Sequence, residues 1–430
     1  MIMRNLDVFI DNVYVGSLHD TEPLSFSYSQ DCLSGLISVP FSSIIPLKAG
    51  AISTIDVTAY FENLLPEGEQ RKLLEAKNHV STVFGLLSTV GGDTAGSLMI
   101  LPEGKTPQPD EYFAVTWQDI ASLINHANNV SPEVALAADS NVSLSGAQNK
   151  LLLSIGKDGS PLLPLNSSIS TYILKPDIKQ SYLKIWGSAI NETLVMRIAE
   201  LCELPVATVS YVPSVQACMV ERYDRSVDAD GKMQRLYQAD LCQLLNKPST
   251  VKYQNDGGPS FKDCYDKVRS VSALPLVDCH NVLRWLLFNL MIGNNDSHAK
   301  NLSMISINGK LRLAPFYDLM CTRVYSGLSP NFAFKIGEHY QANQIDHDDI
   351  CALADTLGIG KHLIVSIATA MAKQLKKAIP IAVKDISVNL GHNENVMVER
   401  IVNEINSIVK KTSNRILLET HNPSAKPLKP

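Results

Sequence analysis

One short segment of the chain gathers the side chains that phosphoryl transfer requires. Asp296 and Asn301 stand at the D-x-x-x-x-N spacing of a kinase catalytic loop, directly after a strongly apolar stretch. Asp318 follows a predicted hairpin, where a kinase carries its metal-holding aspartate. Phosphoryl transfer needs a carboxylate that orients and deprotonates the attacking hydroxyl, and oxygen ligands that hold Mg²⁺ on the phosphates. The segment therefore indicates a kinase-like active site.

The residues alone leave two other interpretations of this segment open. An Asx-turn at a helix end, followed by an unrelated aspartate, gives the same spacing without any chemistry. A metallohydrolase would use Asp296, His298 and Asp318 as metal ligands, although such sites usually recruit more histidines and carboxylates from separate strand ends. The second acidic residue downstream favours the kinase over the Asx-turn, and the remaining histidines lie far away in sequence without metal-ligand spacing.

Candidates for the other parts of an ATP site lie nearer the N-terminus. Lys175 ends the predicted strand TYILK, where a kinase carries the lysine that holds the α and β phosphates. Glu192, in the predicted helix NETLVMRIAE, either pairs with Lys175 or favours the positive end of its own helix. The segment VERYDR, residues 220–225, is either a hinge strand for adenine or an ordinary exposed strand end.

A polar turn before the predicted strand LLLSI is the candidate phosphate-binding loop. It contains one glycine and lacks the G-x-x-x-x-G-K-[ST] pattern of a P-loop. Backbone amides in such a turn can cradle a phosphate, and Lys150 follows closely. The amides concerned belong to Ser145, Gly146, Ala147 and Gln148.

The predicted elements place these candidates on a small sheet and on a helical half. Residues 6–15 predict a first hairpin, and one or two helices follow Pro66 and end at Gly91-Gly92. The Pro- and charge-rich stretch 101–112 predicts a domain boundary. Strands surround one helix at 189–203, and helical periods dominate after about residue 259, at 277–292, 349–357, 362–377 and 395–410.

Composition excludes several classes of protein. With 45% hydrophobic and 19% charged residues in 430, wholesale disorder is excluded, and a net charge of −5 excludes a global positive field for nucleic acid. The chain contains no apolar stretch of membrane-spanning length, its N-terminus lacks the features of a secretory signal, and its eight cysteines form no CxxC pair. We therefore expect a cytoplasmic protein with reduced thiols and no membrane association.

Taken together, the motifs resemble the HipA-type serine/threonine kinase toxins of bacterial type II toxin-antitoxin systems. AYFENLLPEGEQRKLL and GGDTAGSLMI are similar to the N-terminal subdomain of that family. The kinase motifs follow in the family's order over most of the chain: SLSGAQNK, YILKPD, NETLVMRIAE, VERYDR, YQADLCQLL, NDSHAKN and APFYDLM. Several matches in one order are more specific than any single motif.

This resemblance implies an α+β, protein-kinase-like fold. A β-rich α/β half would carry an extra N-terminal subdomain, and the C-terminal half would be mainly helical. We predict the N-terminal subdomain at 1–105, a part similar to a kinase N-lobe at 106–245, a helical C-lobe-like domain at 246–420 and a disordered tail at 421–430.

The resemblance also implies a role for each matching residue. Asp296 would be the catalytic base, and Asn301 and Asp318 would bind Mg²⁺. Lys175 would contact the phosphates of ATP, and Glu221 and Tyr223 would contact the adenine. ATP would also contact the loop residues Ser145, Gly146, Ala147, Gln148 and Lys150 and the catalytic-loop residues His298 and Lys300. Ser143, or alternatively Ser145, would be autophosphorylated, which ejects the loop and silences the kinase. Tyr223 departs from the phenylalanine that is common in the family.

The implied partners are a helix-turn-helix antitoxin, operator DNA reached through that antitoxin, and a protein substrate in translation such as an aminoacyl-tRNA synthetase. The alternative function is a catalytically quiet relative that binds nucleotide and serves as an antitoxin-bound transcriptional corepressor. A kinase of small molecules is a third interpretation, but the H-x-D order of those enzymes is absent because His298 follows Asp296.

Overall fold

The structure is a computed structural model that describes residues 5–125, 131–139, 150–178, 184–388 and 390–417. The predicted loop residues Ser143, Ser145, Gly146, Ala147 and Gln148 and the predicted tail at 421–430 lie outside the described residues.

The N-terminal part, residues 5–102, is a five-stranded antiparallel sheet with helices on it. Its strand order is β4-β3-β2-β1-β5. The predicted first hairpin is confirmed as β1 and β2, and the predicted helical stretch after Pro66 forms two helices. The elements are β1 (Asn5–Ile10), β2 (Val13–His19), β3 (Ser25–Tyr28), α1 (Gln30–Leu33), β4 (Ile52–Ser53), α2 (Ile55–Glu62), α3 (Gly68–Asn78), α4 (Val83–Val90) and β5 (Leu98–Pro102).

A second sheet of six strands follows, in the order β10-β11-β9-β7-β8-β6. Its central strand β9 carries Lys175, and a two-stranded hairpin, β12 with β13, follows its strand β11. The elements are β6 (Tyr112–Ala114), α5 (Trp117–Ile124), α6 (Pro132–Asp139), β7 (Leu151–Ile155), β8 (Pro161–Pro164), β9 (Tyr172–Pro176), α7 (Ser188–Leu201), β10 (Val209–Val212), β11 (Ala217–Glu221), β12 (Arg225–Val227) and β13 (Met233–Arg235).

The rest of the chain is mainly helical, as expected, and adds two small sheets. Strands β14, β15 and β16 form one of them, and β17 pairs with β18 in the other. The elements are β14 (Gln238–Asp240), α8 (Leu241–Leu244), α9 (Phe261–Val271), α10 (Pro275–Ile292), β15 (Ser303–Ile307), β16 (Lys310–Leu313), β17 (Asn331–Ile336), β18 (His339–Gln341), α11 (His347–Leu357), α12 (Lys361–Ile386) and α13 (His392–Ile416).

One hydrophobic core joins the N-terminal part to the helical half. It runs without a break from buried residues of β1–β3, such as Phe26, through α7 to Trp285 of α10 and Ile405 of α13. A smaller core lies under α5 and α6 against the six-stranded sheet. All eight cysteines are unpaired and seven are buried, as expected for reduced thiols.

Candidate active site

Lys175 of β9, Glu192 of α7 and Asp318 contact one another. The Lys175 Nζ atom lies 2.6 Å from Glu192 Oε1 and 2.9 Å from Asp318 Oδ1. Glu192 is in the second turn of α7, so it pairs with Lys175 and does not cap its own helix. Burial alone would lower the pKa of Lys175, but the charges of Asp318 and Glu192 outweigh burial and raise it. The lysine is therefore charged at neutral pH.

The carboxylate of Asp177 holds the end of β9 next to the start of α7. It accepts hydrogen bonds from the backbone N–H groups of Gly187 (2.9 Å) and Ala189 (2.8 Å) at the start of α7. Because those amides have no partner inside the helix, the contact satisfies them and ties the helix to the end of the strand. The YILKPD motif thus supplies both the lysine and the anchor of the helix that carries its partner.

Asp318 and Asn301 lie side by side. The Asn301 amide Nδ2 donates to Asp318 Oδ2 at 3.1 Å, and its Oδ1 accepts from the backbone N–H of His298 at 3.0 Å. Burial would raise the pKa of Asp318, but Lys175 and Lys150 outweigh burial and hold it well below its usual range. An ionised carboxylate beside a carboxamide is the oxygen donor set that a hard cation such as Mg²⁺ prefers. The side chain of Asp318 is 39% exposed, so its carboxylate is open to a ligand.

The alternative metallohydrolase site is not formed. Over the described ranges, no group of three or more His, Cys, Asp or Glu side chains is placed to hold a metal ion. Asp296 and His298 approach each other only to 3.9 Å, and the His298 Nδ1 atom has no hydrogen-bond partner among the described residues. Burial, with the charge of Lys252, holds the pKa of His298 well below its ordinary value. The ring is therefore neutral at pH 7.

The loop after α10 presents Asp296 to solvent. Helix α10 ends at Gly293, whose φ of 76° suits glycine and turns the chain away. Asn294 then donates to Asn289 Oδ1 at 2.8 Å, and the backbone N–H of Asn295 donates to Thr322 Oγ1 at 2.8 Å. Asp296 is the one exposed residue between 291 and 300, with its side chain 55% exposed.

A tyrosine that the sequence did not point to contacts this aspartate. The hydroxyl of Tyr253 donates a hydrogen bond to Asp296 Oδ1. Desolvation by the neighbouring groups raises the pKa of Asp296, and the Tyr253 hydrogen bond and the charge of Lys252 oppose that rise. No motif marks Tyr253, so only the fold reveals the contact.

Lys300 faces away from Asp318 and toward the N-terminal part. Its Nζ atom donates to Asn63 Oδ1 at 2.7 Å, to the Asn63 backbone carbonyl at 3.2 Å and to Asp240 Oδ2 at 2.9 Å. Glu67 Oε1 lies 3.7 Å away. Nothing in the NDSHAKN motif shows this direction. Contact of Lys300 with ATP stays a prediction, and in this structure its amine holds two parts of the chain together.

The candidate hinge lies at the end of β11. Glu221 is exposed there, and the partly buried Tyr223 ring stacks on Tyr317 with ring centroids 5.9 Å apart. Tyr317 in turn donates to the Lys300 carbonyl at 2.6 Å. Tyr317 therefore connects Tyr223, the candidate hinge residue, to the loop that carries Asn301.

Lys150, the described end of the candidate phosphate loop, is in the field of the same cluster. Burial and the charge of Lys175 lower its pKa to about 8, against the opposing charges of Asp318 and Glu192. Two ammonium groups and two carboxylates therefore share this centre.

Comparison with known proteins identifies the family. A model of the HipA N-terminal domain matches residues 6–101, and a model of the HipA-like C-terminal domain matches residues 142–379. The chain belongs to the HipA family. A protein named putative kinase Y4mE from Sinorhizobium fredii is 35% identical over 400 residues, which cover 90% of this chain and 94% of that protein. The serine/threonine-protein kinase toxin HipA of Shewanella oneidensis is 26% identical and covers 87% of this chain and 88% of its own length.

A solved structure confirms the predicted fold class. This structure is HipA of Shewanella oneidensis MR-1 in a complex with HipB and its operator DNA. It superposes on this chain with a TM-score of 0.81 at 23% sequence identity, and the match covers 96% of this chain and 98% of that chain. This member of the HipA family therefore has the α+β, kinase-like fold of that structure. Within the described ranges, none of its helices has the length and apolar character needed to cross a membrane.

Proposed function

We propose that this HipA-family protein is an ATP- and Mg²⁺-dependent protein serine/threonine kinase and the toxin of a type II toxin-antitoxin module. The observation that carries the proposal is the connected set of Lys175, Glu192, Asp318 and Asn301, with Asp296 exposed at the same loop. A buried lysine fixed between two carboxylates is costly to desolvate, and a structural role alone does not require it. Binding of the ATP phosphates accounts for a lysine in this position.

Each residue has one proposed task. Lys175, held in place by Glu192, binds the α and β phosphates of ATP, and Lys150 adds a second positive charge near them. Asp318 and Asn301 hold the Mg²⁺ ion, which neutralises charge on the phosphates when it is bound. Asp296 orients the hydroxyl of a serine or threonine and accepts its proton as the phosphoryl group is transferred.

Adenine is proposed to bind at the end of β11. Glu221 and Tyr223 flank it there, and Ser145, Gly146, Ala147 and Gln148 offer backbone amides to the phosphates. Autophosphorylation of Ser143, or of Ser145, is proposed to silence the kinase, because the added charge of about −1.5 to −2 would repel the phosphates of ATP. Mapping of phosphopeptides after incubation with Mg·ATP tests this switch, and label at neither serine would refute it.

The proposed partners follow the relatives. The similar Shewanella structure contains HipB and operator DNA, which supports a helix-turn-helix antitoxin that links this chain to DNA. The proposed substrate is a component of translation, such as an aminoacyl-tRNA synthetase, and the proposed location is the cytoplasm.

The decisive experiment is a transfer assay with labelled ATP. The purified chain is incubated with [γ-³²P]ATP, Mg²⁺ and a bacterial extract, and labelled proteins are identified by mass spectrometry. We expect label on serine or threonine, loss of label with EDTA, and loss of label in Asp296→Asn. The control is Asp230→Asn, an exposed aspartate of the β12–β13 turn, which should label normally. Normal labelling by Asp296→Asn would refute the proposed base, and nucleotide binding without any transfer would support the corepressor alternative.

A further inference from the structure

The N-terminal part reaches the proposed base through a chain of three side chains. We propose that Tyr253 is a positioning residue that fixes the orientation of the Asp296 carboxylate, and that Glu67 holds Tyr253 in place through Lys252. This inference rests on the proposed function only in taking Asp296 as the base.

The first link is the hydrogen bond from the Tyr253 hydroxyl to Asp296 Oδ1. An aspartate whose side chain is 55% exposed can otherwise rotate freely between orientations. Because Tyr253 occupies Oδ1, it leaves Oδ2 to meet the hydroxyl of the substrate. The His298 ring meets the tyrosine ring edge-on with centroids 5.0 Å apart, and so limits its movement on one side.

The second link is Lys252. Its Nζ atom lies 5.6 Å from the centroid of the Tyr253 ring and 2.8 Å from Glu67 Oε2. The side chains of Lys252 and Glu67 are 17% and 11% exposed, so solvent screens this pair less than a surface pair. The lysine therefore joins a fixed carboxylate of the N-terminal part to the ring of the positioning tyrosine.

The third link is the segment that carries Glu67. Four residues earlier, the amide of Asn63 donates to the Lys247 carbonyl at 2.8 Å, and the Asn63 Oδ1 atom accepts from Lys300. Residues 63–67 therefore contact the chain on both sides of Asp296, before it at 247–252 and after it at Lys300. This segment, between α2 and α3, is placed to control how the loop presents its carboxylate.

Orientation of a reacting group has a large effect on rate, because a misplacement of about 1 Å can cost about a hundredfold. We therefore expect Tyr253→Phe to lower kcat about ten- to a hundredfold while the KM for ATP stays unchanged. Loss of the tyrosine hydrogen bond should also move the acidic limb of the kcat/KM profile to higher pH, since that bond favours the ionised carboxylate. A residue with only a structural role would move neither quantity selectively.

Glu67→Gln should lower kcat in the same direction by a smaller factor, and the double variant Glu67→Gln/Tyr253→Phe should be no slower than Tyr253→Phe alone. The matched control is Glu69→Gln, which breaks an exposed pair with Lys72 (2.8 Å) on the neighbouring helix α3 and should leave kcat unchanged. Circular dichroism and thermal melts confirm that each variant folds. A wild-type or raised kcat for Tyr253→Phe overturns the proposal, and so does a Glu67→Gln variant that behaves like Glu69→Gln.

A second measurement does not depend on turnover. In a carbon-13 NMR titration of aspartate carboxyl groups, assigned with Asp296→Asn, the pKa of Asp296 should rise in Tyr253→Phe. An unchanged pKa overturns the positioning contact. The two hypotheses fail differently. Full activity of Asp296→Asn refutes the proposed base, whereas an inactive Asp296→Asn with a fully active Tyr253→Phe refutes only the positioning role of Tyr253.

Discussion

Asp93 offers the sharpest test of how the N-terminal part supports the candidate hinge. It lies in the loop between α4 and β5, is 7% exposed and contacts three arginines. Its carboxylate is 2.7 Å from Arg225, 3.2 Å from Arg222 and 3.4 Å from Arg235. Asp224 supplies a second buried carboxylate, at 2.8 Å from Arg222 and 3.1 Å from Arg225. Asp93→Asn therefore leaves three buried cations with one buried anion.

The magnitude follows from that imbalance. Removal of one partner from a buried ion pair typically costs about 3 to 5 kcal/mol, because the remaining charge is left uncompensated. We expect Asp93→Asn to lower the free energy of unfolding by about this amount in urea titrations followed by circular dichroism. The exposed Asp230→Asn serves as the control and should stay within about 0.5 kcal/mol of the wild type. Since Arg222 and Arg225 flank Tyr223, ATP affinity should fall as well.

The dependence on pH gives the reasoning a second test. Burial would raise the pKa of Asp93, but the arginines, Arg225 first, outweigh burial and lower it below its ordinary value. A carboxyl group with a depressed folded pKa stabilises the protein above its unfolded pKa of about 3.9, and this stability is lost as the pH falls through the folded pKa. As the pH is lowered, the free energy of unfolding of Asp93→Asn should therefore fall less than that of the wild type. A loss below about 1 kcal/mol at pH 7 would refute the assigned role of the cluster.

Three further variants separate the proposed roles within the active site. Asp296→Asn should abolish transfer yet bind Mg·ATP with nearly wild-type affinity in calorimetry, because a base contributes little to ground-state binding. Asp318→Asn should weaken Mg·ATP binding itself; equal affinities of these two variants would contradict the metal role of Asp318. Lys175→Met should lose ATP binding and cost about 3 to 5 kcal/mol of stability by leaving the buried Glu192 unpaired. Lys175→Met/Glu192→Gln should recover stability in urea titrations without recovering ATP binding, and recovery of both would argue against phosphate binding by Lys175.

The sequence predicted those parts of the site that short motifs encode. The spacing of Asp296 and Asn301, the strand that ends in Lys175 and the hairpin before Asp318 led to the HipA fold, which the structural comparison confirms. The sequence did not decide the partner of Glu192. Its negative charge suits both an ion pair with Lys175 and the positive N-terminal end of its own helix.

The features of the site that the sequence did not predict depend on contacts between residues that are far apart in the chain. The bond between Asn63 and Lys300 joins residues 237 positions apart, and the pair of Lys252 with Glu67 joins residues 185 apart. Neither pair lies in a spacing pattern that a single sequence displays. The motif gives the position of Lys300 in the loop but not the direction of its amine, so the contact of Lys300 with Asn63 could not be predicted from it.

Because the residues of the site are far apart in the chain, the site becomes complete only late in translation. A ribosome adds residues from the N-terminus, so a nascent chain of 290 residues already has Lys175, Glu192 and the hinge but neither Asp296 nor Asp318. Asp318 completes the lysine cluster across 143 positions, and Lys300, which contacts Asn63 of the N-terminal part, is also made after residue 290. A chain that terminates before residue 318 lacks the proposed metal ligand Asp318, so we expect it to have no kinase activity.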